Sequence, residues 1–353
     1  MQAIHHSSLI THHFNMLDLE HEQRADYRIL ELAGSPAAIG ETMARQLRHV
    51  PSPLRKWPWE EDHAFMSGCA SILRDAAPWL WEELATFAER LGMPPERGLF
   101  VRAGSLSHGC SAVAWRAPDG RVFAGRTYDF YVRVRTRHLL LTRPDAGYAH
   151  AGMNGGLAGG RYDGVNEHGV FVALHKVMAD RPPELRPGVP YHLLPRLVLQ
   201  TCSTAREAAD LIEQLPHLAS FNYTLADATG TLIALECYPG RPVQRREAGT
   251  VLAVTNHYTQ PALAPLQGLR STAESRRRQR ALEDVVARDG DPWHATVAAV
   301  ADHHGGVCCH REFGATLWAG VFELGSTAAY SFGAPCRNML QTVELAPATA
   351  RSG

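Results

Sequence analysis

Neither sign of charge is in excess in this chain: 35 Lys and Arg stand against 36 Asp and Glu, a formal balance of −1. Without a basic excess there is nothing to neutralise a phosphate backbone, so nucleic-acid binding through bulk charge is excluded. Long apolar runs are missing too. The longest, such as Ala315–Phe322, fall far short of the ~20 residues a membrane-spanning helix needs. The start, Met1–Met16, is polar and histidine-rich and lacks the charged-then-apolar order of a signal peptide. The expectation is a soluble, cytoplasmic protein whose partners include no nucleic acid and no membrane. No internal repeat and no low-complexity tract stands out.

Several chemical signatures are also absent. Gly152, Gly155, Gly156, Gly159 and Gly160 make a glycine-rich segment. It contains neither G-x-G-x-x-G nor G-x-x-x-x-G-K-[ST], so it reads as backbone that bends sharply or is closely approached, not as a phosphate cradle. No G-x-S-x-G elbow occurs, which argues against a serine nucleophile. Neither C-x-x-C nor H-E-x-x-H occurs. His303, His304, Cys308, Cys309 and His310 are close in sequence, but adjacent residues on a helix or strand point apart. They read as a loop with incidental histidines, and His5, His6, His12 and His13 as a terminus without a metal role. No metal and no cofactor is expected. The 7 cysteines are odd in number and irregular in spacing, which excludes a regular disulfide framework.

What is present suffices for a core: 45% of residues are hydrophobic and 20% charged. The first third reads as helical. Ser35-Pro36 offers an N-cap and a first-turn proline, followed by Ile39, Met43 and Leu47 at helical spacing. A second helical stretch spans Ser71–Leu91, kinked or divided at Pro78. Near residue 110 the pattern changes to strands. Ser111–Ala117 and Arg121–Arg126 flank Pro118-Asp119-Gly120, a turn sequence that predicts a hairpin. Phe221–Ala228 and Thr231–Cys237 flank Thr229-Gly230 in the same way. Val251–Thr255, Thr316–Glu323 and Thr327–Phe332 read as strands. Thr204-x-x-Glu207 predicts a helix start, as does Asp291-Pro292. Clusters of strands alternating with helices indicate an α+β fold.

Within this pattern Cys110 stands apart. A hairpin brings the start of its first strand beside the end of its second, so Cys110 meets Gly125-Arg126-Thr127-Tyr128-Asp129. A thiol, a guanidinium and a carboxylate then share one sheet edge, and Arg126 favours a thiolate.

The stretch Gly109-Cys110-Ser111, with Pro118-Asp119-Gly120 and Gly125 to Phe130, resembles the nucleophile region of the acyl-coenzyme A:6-aminopenicillanic acid acyltransferase family. That is peptidase family C45, related to the choloylglycine hydrolases and made of N-terminal nucleophile (Ntn) hydrolases. Further segments match in order: Gly164 to Val170, Asp227 to Glu236, Thr255-Asn256-His257, Ser275 to Glu283 and Tyr330 to Asn338. Together they span about residues 100–340.

The resemblance implies a four-layer αββα sandwich. It implies self-cleavage between Gly109 and Cys110, giving a mostly helical segment 1–109 and a core 110–353 that together form one domain. Gly109 suits that cleavage because a residue without Cβ permits close attack. The freed α-amine, with a reference pKa of ~7.7–8.0, suits the role of base for the thiol. The resemblance further implies Arg126 and Asp129 as the charged pair beside the nucleophile, Asn256 and Asn166 as oxyanion donors, and a distal arginine. Among Arg276, Arg277 and Arg278 the alignment favours Arg276, with Arg278 next. Cys336 reads as a core residue. Phe130, Tyr131 and Gly156 are expected at the acyl pocket. The implied substrate is a small-molecule amide or acyl thioester; oligomeric state is not readable. The alternatives are an unprocessed Cys–His enzyme using His108, His168 or His257, and a ligand-binding protein of the same fold.

Overall fold

The computed structural model describes residues 19–46, 63–100, 109–181, 183–268, 272–287, 290–311 and 314–345. Its strands form two sheets. One has eight strands, in the order β1 (Asp26–Gly34), β4 (Thr136–Pro144), β5 (His150–Asn154), β6 (Asp163–Asn166), β7 (Phe171–Lys176), β8 (Phe221–Ala226), β9 (Leu232–Cys237) and β10 (Gln244–Ala248). The other has six: β11 (Val251–Val254), β2 (Cys110–Arg116), β3 (Val122–Tyr131), β12 (Gly314–Glu323), β13 (Thr327–Phe332) and β14 (Gln341–Val343). Neighbouring strands run antiparallel except β1 and β4, which are parallel.

The sheets pack face to face, with β2 against β7 and β8, and β11 against β8 and β9. Helices α4 (Leu193–Thr201) and α5 (Ala205–Gln214) cover the eight-stranded sheet; α6 (Thr272–Glu283) and α7 (Pro292–Val300) cover the six-stranded one. The result is a four-layer αββα sandwich. Central strands are covered on both faces, so β8 and β9 are buried along their whole length. Small residues let the layers close. A Cβ on Gly125 of β3 would lie 2.7 Å from Val300 and 2.9 Å from Thr296, so glycine sets how near α7 can come.

Most local expectations hold. The β2–β3 hairpin turns at Gly120, which has φ +88°, a conformation that favours glycine. Gly230, at φ +92°, does the same between β8 and β9. Pro78 divides the second helical stretch into α2 (His63–Ala76) and α3 (Pro78–Arg90), behind α1 (Pro36–Gln46). Thr204 Oγ1 accepts from Glu207 N at 3.1 Å, and Asp291 caps α7 by accepting from His294 N at 3.0 Å. Leu47 and His108 lie outside the described residues.

The first third is not purely helical, however. Asp26–Gly34 forms β1 at the edge of the large sheet, in parallel register with Thr136–Pro144. Its burial alternates, with Leu30 and Leu32 inward and Glu31 outward, which is a strand period.

The N-terminal part is fastened to the sandwich by a buried ion pair. Arg196 of α4 donates to Glu83 of α3 at 2.8 Å, and also contacts His150 Nε2 at 3.2 Å and the Trp79 ring at 5.1 Å. Both charged side chains are almost fully enclosed. Removing one partner strands the other's charge in a low dielectric, at a cost of ~3–5 kcal/mol. In the uncut Cys110→Ala chain, Glu83→Gln is therefore expected to lower the unfolding free energy measured in urea by that amount, whereas Arg143→Gln, which breaks the exposed pair with Glu31, should change it by no more than ~1 kcal/mol.

Candidate active site

The start of β2 and the end of β3 meet in register, Cys110 opposite Tyr128. The ladder continues one step beyond the strand: the Asp129 amide donates to the Gly109 carbonyl oxygen at 2.9 Å. The peptide bond ahead of Cys110 is therefore held on the polar side of its carbonyl. Gly109 is also tightly enclosed. A Cβ there would lie 2.9 Å from the Arg278 guanidinium and 3.1 Å from Asp129 Oδ2.

Asn256 sits just past β11, on the strand neighbouring β2. Its Oδ1 accepts from Cys110 N at 2.7 Å and from Arg278 Nη2 at 2.7 Å. An arginine only donates, so the oxygen must be the atom facing it, and this fixes the amide orientation. Nδ2 then donates to the Lys176 carbonyl at 2.8 Å. The loop is pinned from both sides. Ser275 Oγ accepts from Asn256 N at 2.8 Å, while Asn222 Nδ2 donates to the carbonyls of Thr255 (3.1 Å) and His257 (2.8 Å).

Arg126 crosses from the small sheet to the large one. It is fully buried, donates to the Leu174 carbonyl at 2.7 Å, contacts His175 Nδ1 at 3.1 Å and lies 3.6 Å from Asp163. His175 Nδ1 must accept from the guanidinium, so Nε2 carries the proton towards Thr224 Oγ1 at 2.9 Å. Asp129 is held by Thr316, whose hydroxyl donates to Oδ1 at 2.7 Å. That contact depends on a β-bulge in β12. Thr316 pairs with Asp129 and Trp318 with Tyr128, leaving Leu317 extra. The Leu317 carbonyl is taken by Tyr27 of β1, whose hydroxyl donates at 2.8 Å.

Burial governs the electrostatics. The Cys110 thiol is pushed above its ordinary value, first by desolvation; Arg126 and Arg278 pull it down, Asp129 pushes it up, and burial prevails. Arg126 thus acts in the expected direction, favouring the thiolate, but burial outweighs it. The Asp129 carboxyl is pushed up to about 6 by burial, against the pull of Arg278, Thr316 and Arg126.

The structure redistributes the expected residues. Gly109, Cys110, Arg126, Asp129 and Asn256 come together. Arg276 does not: it is exposed and lines a separate cleft with His257, Tyr258 and Glu283. Arg278 occupies the place beside Gly109, Cys110 and Asn256. Positions 275, 278 and 282 of α6 are its buried face, and that spacing of three and four was readable as an amphipathic stripe. Asn166 is also displaced. It caps the turn between β6 and β7, donating to the Leu199 and Cys202 carbonyls at 3.1 and 2.8 Å and accepting from His168 N and Val170 N. Phe171 and Lys176 mark opposite ends of β7, so this turn lies roughly 17 Å along the strand from the Asn256 contact.

Phe130 and Tyr131 close β3 in edge contact at 5.3 Å, and Gly156 packs on Thr136 at the start of β4, so all three surround one turn. His168 is exposed and packs on Tyr148. His257 Nδ1 is engaged by Ser275 Oγ at 2.8 Å, and burial with Arg276, Arg278 and Arg246 lowers the ring to about 4. The sequence reading gave no role to His175, Asn222 and Thr316, isolated polar residues of apolar strands that carry no motif, nor to Ser275, which opens a family-like segment read only for its arginines.

Residues 115–335 match the family described as acyl-coenzyme A:6-aminopenicillanic acid acyl-transferase. The chain belongs to this family. The matched stretch includes β3, the Asn256 loop and α6, and begins five residues after Cys110. Among solved structures, it is similar to a Caenorhabditis elegans N-acylethanolamine-hydrolyzing acid amidase ortholog, with 14% identity, 62% of this chain and 94% of that chain covered, and a TM-score of 0.48. A conjugated bile acid hydrolase from Clostridium perfringens shares 14% identity over 67% of this chain and 92% of that one, with a TM-score of 0.44. Penicillin V acylase from Agrobacterium tumefaciens shares 14% identity over 67% and 86%, with a TM-score of 0.45. No curated protein matches the sequence.

The two arginine positions separate cleanly by substitution. Arg278→Gln is expected to slow acylation of Cys110 by an electrophilic acyl probe at least ~100-fold, since it removes the cation that orients Asn256. Arg276→Gln should stay within ~3-fold, because its side chain is solvated.

Proposed function

We propose that the protein is a self-processing cysteine amidohydrolase or acyltransferase that works through a Cys110 acyl-enzyme on a small-molecule amide or thioester. The observation that carries this reading is the hydrogen bond from the Asp129 amide to the Gly109 carbonyl. It places a donor on the oxygen that would turn anionic if Cys110 attacked its own upstream peptide bond.

In that step Cys110 Sγ adds to the Gly109 carbonyl carbon and the thiol proton passes to the Asp129 carboxylate. Charge builds on the Gly109 oxygen, facing the Asp129 amide. The C–N bond then breaks, the proton goes to the Cys110 nitrogen, and Gly109 is left as a thioester on Cys110. Water hydrolyses the thioester, giving a Gly109 carboxylate and a Cys110 with free thiol and free amine. The enclosure of Gly109 supports the reading, since any side chain there would displace Arg278.

In the processed protein the amine accepts the thiol proton, with Asn256 Oδ1 holding the amine in place. Cys110 then attacks the substrate carbonyl. Asn256 Nδ2 has a second N–H besides the one given to Lys176, and this serves the substrate oxyanion. The amine or thiol leaving group departs protonated, and water or an acceptor amine takes the acyl group from the thioester. Stacked rings supply an apolar wall for the acyl group: Tyr128 lies 4.0 Å from Trp318 and 5.2 Å from Tyr162, and Tyr191 lies 4.4 Å from Phe221. Phe130, which packs on Tyr128 at 5.7 Å, extends that wall towards Tyr131 and Gly156.

Intact-mass measurement tests the processing step. Wild type is expected as fragments 1–109 and 110–353, and Cys110→Ala as one chain; an active wild type that never splits overturns self-processing. Gly109→Ala should slow splitting tenfold or more, about 1.4 kcal/mol of barrier. The base must be ionised to act, so the splitting rate should fall as pH drops below about 6, and Asp129→Asn should abolish that acid limb. A panel of N-acyl amines and acyl thioesters, read as mass added to Cys110, tests the acyl-enzyme.

A further inference from the structure

Two cysteines and two histidines converge beside the candidate active site. His303 follows α7, Cys308 and His310 lie in the connection to β12, and Cys336 lies in the turn after β13. One donor atom from each falls within 4.8 Å of all the others. The sequence reading had separated these residues, taking the first three as incidental and Cys336 as core. Cys336 is instead exposed, and Cys308 is buried beneath it. His304 and Cys309, the adjacent residues, do not join the group; Cys309 Sγ contacts the Gly314 carbonyl at 3.6 Å.

From this arrangement we infer a structural zinc site with a Cys308, Cys336, His303 and His310 ligand set. A tetrahedral zinc, with Zn–S of about 2.3 Å and Zn–N of about 2.0–2.1 Å, places its donors roughly 3.3–3.8 Å apart. Here His310 Nε2 lies 3.4 Å from Cys308 Sγ and 3.2 Å from Cys336 Sγ. The His303 and His310 ring centroids lie 5.3 Å apart with the rings inclined at 65°. Among the described residues no carboxylate joins the group, and a soft S2N2 set of this kind selects zinc over magnesium or calcium. Four protein donors close the coordination shell, which marks a structural site and not a catalytic one.

Ligation by His310 Nε2 requires the proton on Nδ1. Arg337 now contacts Nδ1 at 3.4 Å, so it must yield when metal binds; its stronger partner is Glu22, at 2.5 Å. The site would hold the segment behind Asp129. Cys309 N donates to Thr316 Oγ1 at 2.9 Å, and the same hydroxyl donates to Asp129. The sequence hid the set because its donors come from three separate segments.

Metal analysis of the purified full-length chain tests this. One zinc per chain is expected, surviving gel filtration. Cys336→Ser and His303→Ala should each lose it. A variant with His5, His6, His12 and His13 all changed to Ala should keep it, as should Cys110→Ala, which separates this site from the proposed chemistry. Cobalt added to chelator-treated wild type should give an intense tetrahedral d–d band and a thiolate-to-cobalt charge-transfer band, a readout that needs no folded variant. Zinc absent from the wild type, together with no thiolate band from cobalt, overturns the site. So does a Cys308–Cys336 disulfide found by peptide mapping of the native protein.

Discussion

Everything at the candidate site depends on one buried cation. Arg126 leaves the small sheet and ends among the main chain and side chains of the large one, at Leu174, His175 and Asp163. A guanidinium with no solvent access needs partners and a nearby counter-charge; here Nη1 and Nη2 are met, and Nε lies 3.6 Å from Asp163 without a hydrogen bond. Asp163 supplies the charge and is itself steadied by Trp318 and Tyr330. These contacts tie the small sheet to the large one in the relative placement seen here. That placement brings the end of β7, which carries the Lys176 carbonyl, against Asn256, and so brings Asn256 against Cys110.

The same burial governs the Cys110 thiol. Two nearby cations do not offset the loss of water around the thiol, which stays protonated. Asp129 is the group whose ionisation falls near neutrality, and its carboxyl lies next to the bond ahead of Cys110. For both groups desolvation outweighs the nearby charges.

Local chemistry was readable in the sequence where it was strong. Pro118-Asp119-Gly120 announced the hairpin, and the hairpin placed Cys110 beside Arg126 and Asp129. Asn256 came from the resemblance of its short segment to a family motif. The failures share a cause: each turned on long-range packing. Arg276 and Arg278 have equal charge, and only the buried stripe through Ser275 and Leu282 tells them apart. Asn166 sits in a family-like segment, yet its Oδ1 caps the turn between β6 and β7 and its Nδ2 holds the end of α4. Asp26–Gly34 has mixed polarity, and its strand state depends on an edge supplied by Thr136–Pro144, more than 100 residues later. Cys336 lies in a family-like segment, but its neighbours come from two other parts of the chain.

The parallel pairing of β1 with β4 carries a further consequence. Segment 1–109 contributes a full edge strand, the Tyr27 contact to the β12 bulge and the Glu83–Arg196 pair. A chain cut after Gly109 would keep all of these, so its two pieces would stay together in the native state. Once unfolded they would be separate molecules, and regaining the strand order would require a bimolecular encounter. The cut form would then persist through the height of its unfolding barrier and not through reversible equilibrium. The covalent link would matter for reaching the fold once, and not for keeping it.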